Sequence, residues 1–328
     1  MMNAECRIRK ALPLVFFLHS AFIILHSSPA AASVTSALIN KALDTQQKLD
    51  LDMTLPQAMT QIGNLTGVRI EADPAVWDLL PWGEQTNITA KIENHTLRYA
   101  LTAITQKLGL EFTLTDEAVE LRPMPALRRL GRRSTVQELS ALDLLNRTPM
   151  NLGGDHPTVR ELLSAVDAKL DAAKSPFAVE NRAPDATQDQ HIAIARSMSM
   201  AEALEEIVRE TNATWYPWGS NIVVVPKREQ LRTQLGKTLT ARYRSVDVGQ
   251  VLMELFQRAG VDFTVDPGAY QQIPPVYRNI TLLLDNATIQ QALQTIGGYT
   301  GLGFEVNDDG VRVWNQLNPP TTAPTTNP

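Results

Sequence analysis

Apolar and polar positions along this chain follow one short pattern written six times. It runs Thr54–Met59, Thr96–Leu101, Thr158–Leu163, Ser199–Leu204, Asp247–Leu252 and Thr288–Leu293. Each copy opens on Ser, Thr or Asp, side chains that accept a hydrogen bond from the free amides of a helix start. Five of the six carry Glu or Gln three residues later, the spacing of a capping box. Apolar residues then fall at steps of three and four, as in Leu97, Ala100, Leu101 and Ile104, or Ile289, Ala292, Leu293 and Ile296. That spacing predicts six helices with one apolar face each. Gly67, Gly109, Asn212, Gly260 and Gly301 sit at one offset from their helix starts and predict left-handed helix stops. The third copy lacks such a stop.

Period-two alternation flanks the helices and predicts strands with one buried face. Before the helices it occupies Leu49–Met53, Ile88–Ile92, His191–Ile194 and Ile280–Leu284. After them it places Val68 and Ile70, Leu110 and Phe112, Ala213 and Trp215, Val261 and Phe263, and Leu302 and Phe304 on single faces. Odd copies run on into loops containing Pro74, Pro184 or Pro267. Even copies run into a hairpin and a further strand, at Val119–Leu121, Ile222–Val225 and Val311–Val313. The repeating unit is therefore a pair of copies, ordered strand-helix-strand, loop, strand-helix-strand-strand. The expected class is α+β, with three tandem modules of two capped helices on short sheets.

The expected boundaries are a secretory signal over 1–32, a leader over 33–47 and modules over 48–124, 148–228 and 236–316. An Arg-rich linker over 125–147 and a Pro/Thr tail over 317–328 complete the chain. The signal rests on Arg7, Arg9 and Lys10, the apolar run Ala11–Leu25 and small residues at Ala30–Ala32. Its removal discards Cys6, the chain's single cysteine, so disulfides and thiol chemistry are not expected in the mature protein. No later segment approaches a membrane-spanning length, and a net charge of -5 gives none of the basic field of a nucleic-acid binder. The Arg-rich gap predicts flexibility after the first module, and the short gap at 229–235 closer coupling of the last two.

A capped helix with an Ala-Leu pair, a Gly-aliphatic-x-aromatic strand, an Asp-Pro loop and a second half ending in a hairpin resembles the short N-terminal domain of secretins and TonB-dependent receptors. The last module carries it best, in "VDFTVDP" and "NITLLLDNATIQQALQTIGGYTGLGFEVNDDGVRVW". The first follows with "VRIEADP" and "NITAKIENHTLRYALTAITQKLGLEFTLTDEAVELRP", while the middle one diverges. The resemblance implies a periplasmic protein-binding module whose partner is an envelope protein of secretin, receptor or regulator type. The residues after 316 leave no room for a pore or barrel, so the expected role is that of a non-enzymatic adaptor, without cofactor or metal. The alternatives are a self-assembling envelope protein, since such modules stack into rings in secretins, and a cell-wall glycan binder.

Candidate contact residues are few. Trp77, Trp82, Trp215 and Trp218 lie in or beside turns, where an aromatic anchors a partner, stacks on a sugar or closes a small core. Arg128, Arg129, Arg132 and Arg133 would meet an anionic partner or lie solvated in the linker. His95, His156 and His191 show no metal-ligand spacing. Asp155, His156, Asp189 and His191 form at most a loop cluster. Asn-x-Thr triplets begin at Asn64, Asn87, Asn94, Asn146, Asn212, Asn279 and Asn286. At Asn94 and Asn286, before helix-capping threonines, and at Asn212, taken as a helix stop, the expected reading is structural rather than glycosylation.

Overall fold

The computed structural model describes residues 34–151, 156–195 and 197–316. The proposed signal and tail, and Asp155, lie outside them. The fold is mixed α+β, and an order of strand-helix-strand, then strand-helix-strand-strand, is built three times, with a short helix between the halves of the first two units. After a leading helix α1 (Val34–Leu43), the first unit comprises β1 (Gln46–Thr54), α2 (Leu55–Thr66), β2 (Ile70–Ala72), α3 (Pro74–Leu79) and β3 (Asn87–Thr96). It closes with α4 (Leu97–Lys107), β4 (Leu110–Leu114) and β5 (Val119–Pro123). Two joint helices follow, α5 (Pro125–Arg128) and α6 (Val136–Arg147). The second unit is β6 (Pro149–Met150), α7 (Val159–Ala172), β7 (Ala178–Asn181), α8 (Asp185–Gln188), β8 (Met198–Ser199), α9 (Met200–Glu210), β9 (Ala213–Trp218) and β10 (Asn221–Pro226). A single joint helix α10 (Lys227–Leu235) leads to the third: β11 (Thr238–Asp247), α11 (Val248–Ala259), β12 (Phe263–Val265), β13 (Asn279–Thr288), α12 (Ile289–Thr300), β14 (Leu302–Asn307) and β15 (Gly310–Asn315).

Each unit has two sheets with helices packed on both. The first and third strands pair antiparallel, as β1–β3, β6–β8 and β11–β13. The others form a three-stranded sheet, ordered β2-β5-β4, β7-β10-β9 and β12-β15-β14, with the last strand central. The predicted apolar stripes supply the core: Leu97, Ala100, Leu101 and Ile104 of α4, and their counterparts in α12, are buried. A fully buried Leu or Ile contributes roughly 1.5–3 kcal/mol, so the stripes outweigh any intrinsic helix preference.

The caps and stops follow from local chemistry. Thr158, Ser199 and Thr288 close capping boxes with Glu161, Glu202 and Gln291. Gly67, Gly109, Gly260 and Gly301 hold left-handed φ of 64–73°. Asn94 and Asn286 also take positive φ, 60° and 49°, two residues before their cap threonines, where the strand register shifts. Asn tolerates that conformation better than most residues, which supports the structural reading of these two positions. Asn212 does not act as a stop. Helix α9 ends instead on Thr211, whose hydroxyl donates to the Ile207 carbonyl and accepts from the Ala213 amide.

Two further expectations need correction. Residues 191–194 form no strand: His191 makes one bridge to Thr158, and β6–β8 is two residues long. Pro149 and Pro157 remove donors from that stretch, although Ile192 and Ile194 stay buried. The segment 125–147 is not a solvated linker. Leu127, Leu130, Leu139, Leu142 and Leu145 lie in a single core running from the first unit through α5 and α6 into the second. The third unit has its own core, so the closer coupling joins the first two units, not the last two. Among the described residues no helix is long and apolar enough to cross a membrane.

Candidate functional site

The Arg cluster and two of the tryptophans turn inward, onto the joint. Arg129 forks both carboxylate oxygens of Glu205 on α9 at 2.7 Å and donates to the Trp215 carbonyl at 3.2 Å. Arg132 forks Glu138 and stacks on Trp218, its guanidinium carbon 4.1 Å from a ring centre. Arg128 pairs with Asp73 at 3.2 Å. Arg133 is exposed beside Gly83. Trp215 is 1% exposed and offers no face to a partner. Trp77 is half-buried against the core, Trp218 is half-exposed beneath Arg132, and Trp82 is open to solvent at 57%.

Glu138 is the pivot of this joint. Its side chain is wholly buried. It closes the Thr135 capping box of α6, receives the Arg132 fork and accepts the amide of Gly219 in the β9–β10 turn at 2.9 Å. Burial alone would raise its carboxyl. The Arg132 guanidinium and the Gly219 and Thr135 amides outweigh that and hold it below the usual carboxylate range.

Helix α10 locks the third unit to the same place. The Gln230 amide donates to the Arg129 carbonyl at 2.6 Å, and the Gln234 amide to the Arg128 and Gly260 carbonyls at 3.1 and 3.4 Å. Those carbonyls end α5 and α11, and helix ends leave carbonyls needing donors. Neither glutamine stood out in the sequence, because nothing local marks a Gln that caps another helix.

A cleft of about 840 Å³ follows this seam. Burial raises the Glu111 carboxyl, against the pull of Arg122 and Arg128, and lowers the Lys237 ammonium, which donates to the Arg258 carbonyl at 3.0 Å. The arginines lining it, Arg122, Arg128, Arg129 and Arg258, are each already paired with a carboxylate. Arg129 and Arg128 are engaged in long-range pairs, with Glu205 and Asp73, and Arg122 and Arg258 with neighbours in their own elements.

The first unit carries a different kind of surface. Among the described residues β3 pairs only with β1, and its outer edge borders two hollows that meet at Lys107. One, of about 210 Å³, lies at the strand's start, among Trp82, Ile88, Ile104, Leu108, Val136 and Leu139. The other, of about 660 Å³, lies along Ala90–His95, over Thr102, Ala103 and Gln106, with Arg147 beyond. Because α4 follows β3 directly and runs back beside it, the two hollows form one groove floored by α4, with β3 and α6 as its sides. His95 stacks on Tyr99 at its far end, ring centres 4.2 Å apart.

The remaining polar candidates are occupied. A His191 ring nitrogen lies 2.9 Å from the His156 carbonyl oxygen, and Asp189 pairs with Arg160 at 3.2 Å rather than with a histidine. Among the described residues no group of three or more His, Cys, Asp or Glu could hold a metal ion. No family model matches this chain, and no curated protein matches it.

Proposed function

We propose that this protein is an exported, non-enzymatic adaptor that holds an envelope protein partner by taking a strand of that partner onto a free sheet edge. The observation that carries the reading is the two-stranded sheets β1–β3 and β11–β13, in which the ten-residue strands β3 and β13, among the described residues, are bonded on one side. An edge strand presents a row of unpaired amides and carbonyls, and a partner strand satisfies them. The threefold unit, whose sequence resembles the secretin and receptor N-terminal domain, supports a protein-binding role, as does the joint that fixes the units relative to one another. The export assignment rests on the basic and apolar pattern of residues 1–32.

Affinity capture of residues 33–328 from crosslinked native cells, followed by mass spectrometry, tests it. The expected result is enrichment of an envelope protein of secretin, receptor or regulator type. Recovery of the bait crosslinked only to itself would replace the adaptor with a self-assembling structural protein.

A further inference from the structure

We infer that the groove between β3 and α6 is the docking site for an extended peptide that carries a bulky apolar side chain with acidic ones a few residues away from it. The inference rests on the adaptor reading and names the ligand of one edge.

Three features define the occupant. Alternate residues of Asn87–Glu93 turn their amide and carbonyl away from β1, which calls for a strand-like backbone. The hollow among Ile88, Ile104, Leu108, Val136 and Leu139 is open on one side, largely apolar at its base and rimmed by the exposed ring of Trp82. It has room for one large side chain, the arrangement that concentrates binding energy at an interface. Farther along, the groove is basic. Glu93 is answered by Lys48 at 3.4 Å and Asp143 by Arg147 at 2.7 Å. Lys91 and Lys107 are exposed and make no ion pair among the described residues, with Asp50 standing across the ladder from Lys91. An extended chain advances about 3.3 Å per residue, so a peptide anchored beside Ile88 brings residues two to four places on, roughly, opposite Lys91 and Lys107. In a chain of net charge -5, this unpaired basic stretch selects carboxylates.

The other units do not share the site. Counted from the cap threonines Thr96 and Thr288, the positions of Lys91 and Lys107 are held in the third unit by Leu283 and Tyr299, exposed at 69% and 63%. In the second unit the corresponding strand β8 is two residues long. The two long edges therefore discriminate between partners, one by charge and one by apolar contact.

The test is selection of a displayed library of short random peptides on the full chain, with p-benzoylphenylalanine replacing Thr89 in one version and Leu283 in another. The expected result is peptides joining an aromatic or aliphatic residue to Asp or Glu, crosslinking at position 89, and losing about tenfold in affinity for the Lys91→Glu, Lys107→Glu double variant. Both lysines are exposed, and because Lys91→Glu sets a carboxylate opposite Asp50, the neutral Lys91→Gln, Lys107→Gln variant is measured beside it and should lose affinity in the same direction. Peptides that crosslink at position 89 but are indifferent to the charge reversal would overturn the acidic specificity. Crosslinking only at position 283 would overturn the groove and leave the adaptor reading standing. Selected peptides that crosslink at neither position would overturn the groove, and failure to select any peptide on the full chain would overturn the adaptor reading as well.

Discussion

At the scale of single residues, Glu138 and Arg129 hold more of the molecule together than their position in an Arg-rich stretch suggests. Glu138 ties an α6 cap, Arg132 and the Gly219 turn. Its carboxyl is held low in the folded state, so its contribution is complete above the unfolded value of about 4.3 and is lost as pH falls through the lower folded value. Urea unfolding at several pH values from neutral to below 4 should therefore show a steeper acid loss for the native protein than for Glu138→Gln. Arg129→Ala leaves Glu205 half-desolvated and the Trp215 carbonyl without its donor, at a cost of about 2–3 kcal/mol. The neighbouring Arg133→Ala, at an exposed side chain, should shift stability by less than about 0.5 kcal/mol in the same urea measurement. These roles were hidden in the sequence because an arginine's partner lies far along the chain: Glu205 is 76 residues away from Arg129.

At the scale of elements, the sequence was legible wherever the determinant is local. Cap side chains, apolar stripes and glycine stops place α2, α4, α11 and α12 together with their flanking strands. It misled where two local signals compete. In 125–147 the arginines drew attention from five leucines that make α5 and α6 part of the core. At 191–194 the alternation is real as burial, yet the backbone finds no pairing partner beyond one bridge. Gly109 and Gly67 separate helix stopping from packing. Both are left-handed, but a Cβ at Gly67 meets nothing within 4 Å, whereas one at Gly109 falls 2.8 Å from a Leu142 methyl on α6. Gly67→Ala should cost about 1 kcal/mol for backbone strain. Gly109→Ala should cost a further 1–3 kcal/mol, roughly, for overpacking the joint, with thermal unfolding ranking the two.

At the scale of the whole molecule, the three units form one body. The first two share a core through α5 and α6. The third is held by Gln230 and Gln234 on the ends of α5 and α11. Fixed spacing matters to an adaptor, because two edges held in a set relation present two partners to one another, whereas a flexible string only raises their local concentration. None of this was readable from the sequence, since it depends on side chains of α10 reaching carbonyls more than a hundred residues earlier. The rigidity of the joint is directly measurable. With Cys6→Ser and spin labels on cysteines placed at the exposed positions Leu65 and Tyr299, electron–electron double resonance reports the distance between the first and third units. A rigid joint gives a single narrow distribution that broadens in Gln230→Ala, Gln234→Ala. A broad distribution in the otherwise unaltered chain, unchanged by that double substitution, would contradict it.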